Sequence, residues 1–333
     1  MTHSLPQCHR YHRPASCKKA RSVRAPAWIL GFIAGVVALV GSVASAAGCT
    51  SAAIGELRRL SPSGYEIYAR YNNPQKFRSW MRCDDVVGGL ATAVHESVHM
   101  LTSRIDAYPL IGGGQIVRVP ESPDFYPPRL IAPLFDRGNM YVQTYLMPGA
   151  ASSADYFRYL LDEFNAYTHD LNTAVALNPL ERTHIYSLHR DGLAALMAFT
   201  AAYVDEALKR RPRTWTALNE PRARATVVTL WNEAERVMAA SCRFPRMAQT
   251  AGRHLSTFCA APDDHGMAIL TGRPFACDAA CLDVPTTPDG SYALGVRTTT
   301  IESGRPRDLI SPRDPRSEAN APTGEFPWPG TFR

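Results

Sequence analysis

Acidic side chains are missing from the first 46 residues of this 333-residue chain, where Arg10, Arg13, Lys18, Lys19, Arg21 and Arg24 stand alone. Those six account for the whole formal charge of +6. Taking six from the 36 basic residues leaves 30 against 30 acidic ones. A neutral body lacks the electrostatic footprint of a nucleic-acid or polybasic membrane binder, so neither partner is expected. No internal repeat is present, which excludes a solenoid or other repeat array. Cys277-x3-Cys281 has no companion pair at zinc-finger spacing, which argues against a metal held by cysteines.

What the leader does contain is one long uncharged run, AWILGFIAGVVALVGSVASAAG from Ala27 to Gly48. With the basic run before it and Ala44-Ser45-Ala46 as an A-x-A site, residues 1–46 read as a secretory signal peptide cut before Ala47. The run is also long enough to span a bilayer, so the alternative is an uncleaved N-terminal anchor. Only in that case is a membrane expected as a partner; otherwise the protein is secreted or periplasmic. Cys8 and Cys17 leave with the leader. Cys49, Cys83, Cys242, Cys259, Cys277 and Cys281 remain, an even set that an exported chain uses for disulfides, with the pairing left open. Lipidation of Cys49 would leave an odd five, which speaks against a lipoprotein.

The body divides by pattern. Ser51–Leu60 reads as a short helix, followed by a polar, aromatic connection with turn signals at Ser61-Pro-Ser-Gly64 and Asn72-Asn-Pro74. A helix over about 84–103 carries Val87, Leu90, Val94, Val98 and Leu101 as its core stripe, and Asp84 or Asp85 can cap it. Residues 104–150 are broken by prolines and by Gly112-Gly-Gly114. They hold two stretches of strand composition, Gln115–Val119 and Met140–Met147. A strong helix follows over Ser153–Leu177, with Ser152 or Ser153 as cap and Leu160, Phe164, Tyr167, Leu171 and Ala174 as its stripe. Helices are expected again at about Ile185–Lys209 and Pro221–Ala240. The segment 241–284 reads as irregular or weakly helical, and 285–333 as an extended or disordered Pro/Arg-rich tail.

Inside the first of the strong helices stands His95-Glu96-Ser97-Val98-His99. Residues i and i+4 share a helix face, so both imidazoles can grip one Zn²⁺ at about 2.0–2.1 Å. Glu96 between them is placed to take a proton from an attacking water and pass it to a leaving group. Chance alone yields H-E-x-x-H in a chain of this length on the order of 1% of the time. Gly88 and Thr92, on the histidine face, are small enough to let another element approach. The motif resembles that of the zincin superfamily of zinc metallopeptidases.

The resemblance implies a third protein ligand. The metzincin continuation is absent, since Met-Leu-Thr-Ser-Arg-Ile follows His99. The chain is similar instead to the gluzincins, in which a glutamate on a second helix completes the site. Glu163, 64 residues beyond His99, matches that ligand, with Asp162 as the alternative because register decides between them. Many gluzincins have E-x-x-x-D here, the Asp orienting the first histidine; this chain has Glu163-x-x-x-Tyr167. Tyr167 could donate to the oxyanion of the reaction or belong to the core stripe. His169, His189, Tyr186 and Arg190 are further candidate donors, and Asn165 or Asp170 could orient a ligand. Zincins generally carry a sheet whose edge strand binds substrate, usually before the motif helix; the resemblance implies Gln115–Val119 or Met140–Met147 as that edge. Here the roughly 37 residues between leader and helix show no strand, implying a compact or rearranged version.

The expectation is therefore a mainly helical α+β domain over residues 47–284, exported and disulfide-bonded. In it His95, His99 and Glu163 hold Zn²⁺, Glu96 and Tyr167 act on the substrate, and the substrate is a peptide or protein. Two rivals share these residues: a zinc-dependent amidase acting on a non-peptide or cell-wall substrate, and a non-catalytic exported protein that keeps zinc as a structural pin.

Overall fold

Helices build this molecule, and prolines and asparagines decide where several of them start. The computed structural model describes residues 48–182, 187–261, 263 and 265–282. The expected leader (residues 1–46), the expected tail (285–333) and the candidate donor Tyr186 lie outside the described residues. Helix α1 spans 48–60. The stretch expected to be a connection is helical too: α2 is Pro62–Tyr71 and α3 is Pro74–Ser79. The same residues that read as turn signals serve as helix starts. Proline at the first helical position loses no hydrogen bond, and Asn73 caps α3 by accepting from Lys76 N at 3.1 Å.

Helix α4, Val86–Ile105, carries the histidine pair. Asp85, not Asp84, caps it through Gly88 N at 2.9 Å, and all five stripe residues are buried. Gly88 lies under the Asp85 carboxyl, not beneath a neighbouring helix, and Thr92 is exposed. The close approach instead falls at Gly89, where an added methyl would meet the Arg82 backbone. Asp106 closes α4 in the left-handed conformation. The chain then enters a two-stranded antiparallel hairpin of β1 (Ala107–Pro109) and β2 (Gln115–Val117), turned by Gly113 and Gly114 at positive φ. Asn165 Nδ2 and His169 Nε2 both donate to Pro109 O.

Met140–Met147 is not a strand. Met140–Tyr145 forms helix α5, because the Asn139 side chain accepts from Tyr141 N and Val142 N and starts a turn that its aromatic and β-branched content concealed. The long α6 is Phe157–Leu177. Its first expected turn is a separate 3-10 turn at Ser152–Ala154, and Ser153 Oγ donates to Tyr145 O instead of capping. Helix α6 is central, packed by α2, α4, α7 (His189–Arg210) and α9 (Pro221–Cys242). Helix α8 is Pro212–Asn219. The 241–284 segment is more helical than its composition suggests, with α10 (Ala251–Cys259), α11 (Gly266–Thr271) and α12 (Ala279–Leu282).

Tyr126, Tyr203 and Phe157 stack with 4.1 Å between successive ring centroids, and the two tyrosines exchange hydrogen bonds to each other's carbonyls at 2.7 and 2.9 Å. The six cysteines pair as Cys49–Cys83, Cys242–Cys281 and Cys259–Cys277. The first ties α1 to the turn before α4; the others bind α9, α10 and α12. Because Cys277 and Cys281 take different partners, they form no site of their own. Three disulfides are compatible with an exported protein. Among the described residues, no helix is long and apolar enough to cross a membrane.

Candidate metal centre

Helices α4 and α6 pack antiparallel, so His99 meets Asp162 and His95 meets Asp170. Between these two contacts the Glu163 carboxylate comes to both histidines. His95 Nε2 and His99 Nε2 lie 3.2 Å apart, and Glu163 Oε2 is 3.4 Å from the second and 3.9 Å from the first. Three ligands at about 2.05 Å in tetrahedral directions are separated by about 3.3 Å from one another. The observed triangle therefore fits a single metal ion, and the buried His95, His99 and Glu163 group could hold one. Glu163 Oε2 is buried without a hydrogen-bond partner among the described residues, a costly state that a cation in the triangle relieves. Register settles Glu163 against Asp162 as the group facing both Nε2 atoms.

Asp162 has a different place. Its Oδ2 sits 3.0 Å from His99 Nδ1, the nitrogen turned away from the triangle. Burial works against a charged His99, but the Glu163 and Asp162 carboxylates outweigh it and raise its pKa well above the usual value. Asp170 stands behind His95, with Oδ2 at 3.8 Å from Nδ1. The position that E-x-x-x-D reserves for an acid is Tyr167 here, and the acid comes one turn later. Glu163, Tyr167 and Asp170 lie within an arc of about 60° on the helix wheel, so all three face α4.

Tyr167 is not a plain member of the core stripe. Leu160, Phe164, Leu171 and Ala174 are fully buried, whereas Tyr167 is partly exposed and meets the His95 ring edge-on at 4.7 Å between centroids. Its hydroxyl is 2.8 Å from that of Tyr145 on α5, and Tyr141 packs edge-on against it at 6.3 Å. Burial holds both Tyr167 and Tyr145 protonated far above neutral pH, with Glu163 adding to the effect on each. Both therefore remain neutral donors. Gly192 of α7 lies against the Tyr167 ring, where any side chain would collide with it. Glu96 is half-buried, and its carboxylate is near enough to Tyr167 to disfavour a tyrosinate.

The other candidates fall away from the triangle. His169 and Asn165 hold the β1 end from a face of α6 roughly opposite Glu163 at 100° per residue. The hairpin thus buttresses α6 from behind, and the expected substrate-binding edge is not beside the ligand. Burial pushes the His169 pKa down to about 4. Arg190 donates to Phe244 O at 2.7 Å and lies beside the Cys281 sulfur. His189 bonds through Nδ1 to Asp170 Oδ1 at 2.6 Å, placing it behind His95. Tyr145 and Gly192 escaped the sequence reading. Tyr141 and Tyr145 recur one turn apart, a helical signal hidden by the strand-like composition around them.

No family model, curated protein or solved structure matches the chain, so the chemistry of this site carries the functional reading.

Proposed function

We propose that the protein is an exported zinc-dependent peptidase of the gluzincin kind, with residues 47–284 as its catalytic domain. The observation that carries the reading is the buried triangle of two imidazole nitrogens and one carboxylate oxygen at 3.2, 3.4 and 3.9 Å, with a glutamate next to the first histidine in sequence. Two nitrogens and one oxygen suit zinc, and three protein ligands leave a fourth position open, as catalytic sites do and closed structural sites do not. When bound, zinc supplies Lewis acidity and a nucleophile at neutral pH.

The chain's own residues do the rest. His95, His99 and Glu163 hold the ion, and Asp162 fixes the His99 ring so that its Nε2 points inward. Glu96 accepts the proton of the attacking water and returns it to the leaving amine. Tyr167, kept protonated and braced by Tyr145 and Gly192, donates to the negative charge that grows on the carbonyl oxygen of a peptide or protein substrate.

The test is metal content of the 47–333 protein beside three variants. One zinc per chain is expected in wild type and Glu96→Gln, and loss in His95→Ala and Glu163→Ala. Peptide hydrolysis is expected in wild type and its absence in Glu96→Gln. A folded wild type that binds no zinc refutes the reading, and Glu163→Ala retaining full zinc refutes the ligand assignment.

A further inference from the structure

The two ligand histidines are held in different ways. His99 Nδ1 has Asp162 at hydrogen-bond distance, 3.0 Å. His95 Nδ1 is buried with no hydrogen-bond partner among the described residues; Asp170 Oδ2 stands 3.8 Å from it, roughly 0.9 Å beyond a normal bond. The other oxygen of Asp170 is not free to turn toward His95. It is taken at 2.6 Å by Nδ1 of His189, the first residue of α7. Side chains of all three residues are 9–12% exposed, so water does not compete strongly for these groups.

We propose that His189 is a positioning residue for the metal centre: by binding Asp170 Oδ1 it keeps Oδ2 aimed at His95 Nδ1. The inference rests on the proposed metal site and extends it by one residue. A carboxylate has two equivalent oxygens and rotates about its last bond. With one oxygen tied to α7, that rotation stops, and the remaining oxygen faces the one nitrogen of His95 that needs an acceptor. His95 then carries its proton on Nδ1 and presents the Nε2 lone pair to the triangle. The element doing this, α7, also supplies Gly192 beneath Tyr167. One helix end thus sets both the His95 ring and the phenol packed against it.

Full-length protein stripped of metal is titrated with Zn²⁺ alone against a competing chelator, in wild type, His189→Phe and His189→Asn. Asparagine places an amide N–H close to the position of Nδ1, whereas phenylalanine keeps the ring without a donor. Zinc binding about 10–100-fold weaker is expected for His189→Phe, within about threefold of wild type for His189→Asn. Co²⁺ loaded in place of zinc is expected to show altered visible bands in His189→Phe only, a change that a loss of packing alone does not produce. Melting temperatures of the metal-free forms establish that each variant folds. His189→Phe binding zinc like wild type, or His189→Asn as weak as His189→Phe, overturns the inference and leaves the metal site standing. Wild type that binds no zinc overturns both.

Discussion

Gly192→Ala adds one methyl group and tests whether Tyr167 is held where the structure puts it. The new Cβ would collide with Cε1 and Cδ1 of the Tyr167 ring and lie 3.0 Å from Cζ. The ring cannot swing away cheaply, because its hydroxyl is bonded to Tyr145 and its face packs on the His95 edge. Overpacking of this kind costs about 1–3 kcal/mol, and at so short an approach the upper half of that range applies. Alanine in place of glycine in the first turn of α7 returns up to about 1 kcal/mol in helix propensity. The net loss is therefore about 1–2 kcal/mol, or a melting temperature lower by roughly 3–6 °C in a domain of this size. Gly55→Ala on α1 is the control, since a Cβ there meets nothing within 4 Å and the site is exposed. That change should stabilise by up to about 1 kcal/mol. Thermal melting of both variants decides. If Gly192→Ala raises the melting temperature as Gly55→Ala does, the packing of Tyr167 against α7 is wrong, and with it the argument that this phenol is braced for catalysis.

Two other outcomes are expected. Asp162→Ala removes the 3.0 Å hydrogen bond on His99 and should weaken zinc binding about 10–100-fold in chelator competition, with unchanged affinity refuting the positioning role. Acid should destabilise the metal-free protein through His169 and His254, whose pKa values burial lowers to about 4 from an ordinary value near 6.5. Between about pH 4 and 6.5 the unfolded chain binds protons that these two folded residues refuse. Their stabilisation is complete above about pH 6.5 and falls as pH drops toward 4. Melting in chelator across that window should show a downward slope that His169→Gln flattens; an equal slope in the variant refutes the assignment.

Much of the candidate metal centre is legible in the sequence because its first half is local. His95 and His99 are four residues apart on one helix, and the apolar stripe beneath them depends only on the 3.6-residue period. Composition misled where capping overrode it. The turn signals at Pro62 and Pro74 were helix starts, and Met140–Tyr145 became a helix on the strength of one asparagine. The 241–284 segment looked irregular because its helices are short and separated by loops that disulfides hold together.

Local pattern in the chain specifies the helix pair, the i, i+4 histidines with Glu96 between them, and an even set of six cysteines in the body. Packing between helices turns Glu163 and not Asp162 toward both Nε2 atoms, sets Asp162 and Asp170 behind the two histidines, and brings Tyr145 and Gly192 against Tyr167. The difference lies in register. Periodicity places a residue on a face of its own helix, but which turn of α6 lies opposite which turn of α4 is set by side chains packed at long range from α2, α7 and α9.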